Sequence, residues 1–81
     1  MDKINKALLR LPDKQRQLLL AAFARVVAGN TDGLDIKKLR GHSDLYRLRV
    51  GDSRLVYRVE PSMEPVVVFV GKRDDQTYRD F

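Results

Sequence analysis

The chain has 81 residues, sixteen Lys and Arg against eleven Asp and Glu, and a formal charge of +5. That length makes one small domain with a thin core, burying about 60 to 65 percent of the surface its unfolded form exposes. With no cysteine and a single histidine, His42, a disulfide framework, a thiolate zinc site and a histidine metal centre are excluded.

Residues 2–11 place Ile4, Ala7, Leu8 and Leu11 on one helical stripe. Pro12 disfavours helix in the residue before it and suits a first turn, so a second helix is predicted over residues 12–28. Leu19, Phe23, Val26 and Val27 form its core stripe, and Gly29 stops it. Two helices so closely joined make an antiparallel helical hairpin. Residues 29–33, "GNTDG", are loop chemistry, and the stretch on to His42 reads as irregular or only briefly ordered.

Polar and apolar residues then alternate from Leu45 to Val50 and again from Arg54 to Val59, with Gly51-Asp52 between them. This predicts a two-residue hairpin in which Val50 pairs with Ser53, Arg49 with Arg54 and Arg47 with Val56. Tyr46, Leu48, Val50, Leu55, Tyr57 and Val59 share one face, and Arg47, Arg49, Arg54, Val56 and Arg58 the other. The two tyrosines on the apolar side read as packing. Like charges across strands repel by roughly 0.2 to 1 kcal/mol a pair, so the arginine face is expected to hold an anion.

After a turn, "EPSMEP", the run "VVVFV" at residues 66–70 is apolar at every position, which predicts a strand inside the sheet, covered on both faces. It is far too short to cross a bilayer, and charged residues follow Met1 where a secretion signal has its apolar region, so the expected setting is soluble and cytoplasmic. The predicted fold class is α+β, a helical hairpin packed on an antiparallel sheet of three or more strands. The positive excess favours nucleic acid, an anionic membrane or an acidic protein. Lys37, Lys38 and Arg40 extend the basic track or are simply solvated, and Asp74 and Asp75 orient Arg73 or serve as turn residues.

The pattern "KLRGHSDLYRLRVGDSRLVYRV", followed by "VVVFVGKRDDQTY", resembles the RelE/ParE superfamily of bacterial and archaeal toxins over residues 39–78. In the RelE branch the resemblance implies an endoribonuclease that cuts messenger RNA, commonly on the ribosome, and is silenced by an acidic antitoxin that wraps around it. Carried over by position, Arg47 and Arg49 match two basic residues on the first hairpin strand. Arg54 matches the arginine on the second, Arg73 in "GKR" the arginine after the last strand, and Tyr78 the nearby tyrosine, one residue closer to Arg73 than in the best-known member. Most members begin with a strand before the first helix, so this chain, starting at the helix, is expected either to leave a sheet edge open to pairing or to come from a shortened gene. The other branch implies a ParE-like poison of DNA gyrase, and an inactive binding module shares the same hairpin.

Cleavage by attack of the 2′-hydroxyl on phosphorus requires neutralised phosphoryl oxygens, a positioned nucleophile and a protonated leaving oxygen. Guanidinium forks match phosphate oxygens through paired hydrogen bonds and need no cofactor or metal to do so. The expected catalytic set is therefore Arg49, Arg54, Arg73 and Tyr78, with Arg47, Arg58 and Lys72 binding RNA. Arginine keeps its proton at any ordinary pH. Arg49 is thus confined to electrostatic support, and Tyr78 is left to orient or deprotonate the nucleophile or to stack on a base.

Overall fold

The computed structural model describes residues 3–41 and 44–72. Helices α1 (Lys3–Arg10) and α2 (Asp13–Val27) precede strands β1 (Asp35–Lys38), β2 (Leu45–Val50), β3 (Ser53–Arg58) and β4 (Val66–Lys72). The strands form one antiparallel sheet in the order β1-β2-β3-β4. Helix α1 packs on β4, and α2 packs on β2 and β3. This is the α+β architecture expected, and among the described residues no strand precedes α1.

The helix boundaries follow from backbone chemistry. Pro12 caps α2 with φ −55° and ψ 148°, and its carbonyl accepts the first helical bond from the Arg16 amide at 2.9 Å. At the other end Gly29 takes φ 81°, its amide donates to the Val26 carbonyl, and the Asn30 amide donates to the Arg25 carbonyl. That pair of bonds is the Schellman termination, which needs a left-handed residue where glycine stands. Leu19 and Val26 are buried as the helical period requires, and Phe23 packs against the core. Val27, expected in the same stripe, is 41% exposed, and Ala22 is buried in its place. The stripe is therefore rotated by part of a turn toward the sheet.

The hairpin register is as predicted, with Arg49 opposite Arg54 and Val50 opposite Ser53. Gly51 has φ 57° and Asp52 does not share a positive φ, the pattern of a type II′ turn. Gln15 of α2 lies beside this turn and accepts a 3.2 Å hydrogen bond from the buried Ser53 hydroxyl, tying hairpin to helix. Leu48, Leu55, Tyr57 and Val70 form the sheet's contribution to the core, with Leu11, Leu19, Ala22 and Val26 from the helical layer.

Two strands differ from expectation. Residues 35–38 pair with β2 as a full strand, because Leu34 and Ile36 pack against the core at period two. Among the described residues β4 is an edge strand rather than an interior one, and Val66 is half exposed. Its unbroken apolar run has another cause. A β-bulge between Val56 and Tyr57 leaves Val67 opposite Tyr57 but Phe69 opposite Val56 and Val70 opposite Leu55. Core-facing positions 67 and 70 are thus out of alternation, and only a run apolar throughout serves both phases.

Tyr57 is 4% exposed, with the Tyr46 ring stacked at 5.6 Å and the Phe23 ring edge-on at 5.8 Å. Burial first, and Tyr46 second, push its hydroxyl above the ordinary value of 10.0. A raised folded value means the folded state holds the proton more tightly. This contribution to stability is therefore intact below the unfolded value and is lost as pH climbs through the folded one. Urea titrations should show wild type losing stability above about pH 10 that Tyr57→Phe retains. Parallel curves for the two proteins would contradict the burial.

Candidate functional site

The face of the sheet opposite the helices is built from register. Asp35 of β1 stands opposite Arg49 of β2, which stands opposite Arg54 of β3, which stands opposite Gly71 of β4. One position along, Lys37 faces Arg47, Arg47 faces Val56 and Val56 faces Phe69. Strand alternation puts all of these side chains on one surface, and Gly71 presents no side chain beside Arg54.

The sheet carries a cleft of 210 Å³ lined by Lys37, Lys38, Leu39, Arg47, Arg49 and Arg54. Three of the predicted arginines therefore converge, and β1 adds two lysines. Arg47 is 7% exposed, buried although it stands on the sheet face away from the helices. Its Nη2 donates to Asp35 Oδ1 at 3.1 Å, and Arg49 Nε lies 3.4 Å from Asp35 Oδ2. Arg47 Nη1 is buried and has no hydrogen-bond partner among the described residues. A buried donor left unpaired costs about 1 to 3 kcal/mol, so the cleft retains capacity for an acceptor. The expected anion is thus supplied in part by the chain itself. Five cations line the cleft, and Asp35 pairs two of them, Arg47 and Arg49.

The remaining site residues are placed as follows. Arg58 lies at the far end of the hairpin, opposite Leu45 and Val66, and its Nε pairs with Asp44 at 3.3 Å, outside the cleft lining. Lys72 ends β4 opposite Ser53. Arg73, Tyr78, Asp74, Asp75 and His42 lie outside the described residues. Arg40 is exposed and does not line the cleft. Asp35 was missed from sequence. The alternation of Leu34 and Ile36 between Gly33 and Gly41 is a local trace of the strand that carries it, too short to set its pairing.

Residues 1–77 match the family model described as the ParE toxin of the type II toxin-antitoxin system, parDE. Among solved structures, the chain resembles one in the crystal structure of the RelB-RelE antitoxin-toxin complex from Methanococcus jannaschii. The TM-score is 0.78 and the identity 25%, over 99% of this chain and 95% of that one. No curated protein matches.

Proposed function

The chain belongs to the ParE toxin family of type II toxin-antitoxin systems, and from that premise we propose that this toxin is an mRNA endoribonuclease acting in the cytoplasm on ribosome-bound message. The observation that carries the reading is the convergence of Arg47, Arg49, Arg54, Lys37 and Lys38 on one cleft. Such a cleft suits a phosphodiester backbone.

In the proposed reaction the 2′-hydroxyl gives up its proton and its oxygen attacks phosphorus, the bond to the 5′-oxygen breaks as that oxygen takes a proton from water, and the products are a cyclic 2′,3′-phosphate and a 5′-hydroxyl. Arg47 and Arg49 bind phosphate. Arg54 and Arg73 offset the charge that develops on the phosphoryl oxygens. Tyr78 orients or deprotonates the nucleophile, Lys72 and Arg58 extend the contact with RNA, and the residue types call for no metal or cofactor. The partner is an acidic antitoxin, by analogy with the complex in which the M. jannaschii relative was solved.

Primer extension on mRNA after induction tests this: new 5′ ends should appear with wild type. The ParE name of the matched family favours a second reading, the inhibition of DNA gyrase that resemblance to that branch implies. Intact mRNA with gyrase-linked DNA breaks would establish it in place of the first. With about three or four phosphates engaged, log K for uncleavable single-stranded RNA should fall against log salt with a slope of roughly −2 to −3. A slope near zero would remove phosphate as the main contact.

A further inference from the structure

We propose that Asp35, paired with two of the arginines that line the cleft, is a resident competitor at its edge: its carboxylate occupies the position of a phosphodiester between Arg47 and Arg49 and sets how strongly anions bind there. The inference rests on the reading that the cleft takes a phosphate backbone. Its two oxygens each face a different guanidinium, Oδ1 at 3.1 Å from Arg47 Nη2 and Oδ2 at 3.4 Å from Arg49 Nε. Two non-bridging phosphate oxygens meet two arginines in the same way. The Asp35 side chain is 53% exposed where that of Arg47 is 8%, so the carboxylate is the solvent-facing partner of the pair. Behind it, the buried Arg47 Nη1 has no acceptor among the described residues, so Asp35 leaves part of the arginine's donor capacity unmet.

The energetic consequence follows from charge. A phosphate that takes Arg47 and Arg49 must break the Asp35 contacts or lie beside a like charge, and both lower its affinity. An isolated phosphate or mononucleotide has little else to gain. A strand also reaches Lys37 and Lys38, and Arg54 across from Arg49, so it remains bound after the same penalty. Free phosphates are thereby kept from filling the cleft.

The test compares wild type, Asp35→Asn and, as a control for net charge, Glu64→Gln, an exposed residue that does not line the cleft. The probes are uridine 3′-phosphate and a 2′-O-methyl RNA octamer that cannot be cut, both at one salt concentration. Asp35→Asn keeps an oxygen for Arg47 and should tighten both probes by about tenfold, the scale of one surrendered charge-assisted contact. Glu64→Gln should change neither by more than about twofold, a remote exposed charge being screened. In the wild-type protein, saturation with the octamer should also move the Asp35 carboxyl carbon resonance as its guanidinium partners are taken. Unchanged or weaker binding by Asp35→Asn, an equal gain in Glu64→Gln, or an unmoved Asp35 resonance would each overturn the proposal while leaving the phosphate site standing. If none of the three proteins binds either probe, the reading of the cleft fails, and this inference with it.

Discussion

Arg54→Ala is expected to lower mRNA cleavage by about 10²- to 10³-fold, the loss that follows removal of one preorganised donor to a developing oxyanion. Arg54 stands directly opposite Arg49 and beside Gly71, half-buried in the cleft wall. It lies on the face away from the helices, so its removal opens no void between sheet and helices and relieves one like-charge pair. The thermal midpoint should therefore shift by no more than about 5 °C. At matched protein levels, primer-extension stops should fade by the stated factor and growth should recover. A folded Arg54→Ala protein that cuts at the wild-type rate would take Arg54 out of the transition state. If the substitution abolished toxicity and the wild type left mRNA whole, the arginine would belong to a gyrase contact instead.

Leu48→Ala should destroy function by the opposite route. Leu48 has no exposed surface, lies between Ile36 and Leu55 in the sheet register, and belongs to the strand on which α2 packs. Truncation removes transfer free energy and leaves a cavity in a thin core, costing about 2 to 5 kcal/mol. A domain of this size has roughly 4 to 12 kcal/mol in total, so the variant should unfold at markedly lower urea. The slope against urea should stay unchanged, because the surface exposed on unfolding is nearly the same. Residual toxicity should track the folded fraction, whereas in Arg54→Ala the two separate. A loss under about 1 kcal/mol would mean that the helices repack over the site, and that Leu48 is not the centre of the core.

The helices and the hairpin were legible in the sequence because their determinants are local. Pro12 and Gly29 act through the φ angles they permit, and a two-residue turn fixes the pairing of every residue behind it. The predicted register of Arg49 with Arg54, and the sorting of tyrosines from arginines, therefore held. The apolar run of β4 misled for a related reason. A bulge in β4, where Val68 is the extra residue opposite the step from Val56 to Tyr57, shifts the phase at which residues 67 and 70 meet the core, and a sequence pattern read alone cannot tell that phase shift from coverage on both faces.

By itself, then, the sequence determined two helices, one hairpin and a face rich in arginine, all set by interactions within a few residues. Tertiary structure decided that residues 35–38 add a strand, that β4 lies at an edge, and that Arg47 is buried while Arg58 pairs apart with Asp44. It also decided that Asp35, twelve residues before Arg47, reaches both Arg47 and Arg49. A four-residue strand has too few alternations to announce itself, and its pairing is worth forming only once Leu34 and Ile36 find the core beneath the helices. The charge that answers the arginines comes from that non-local pairing, and no spacing along the chain encodes it.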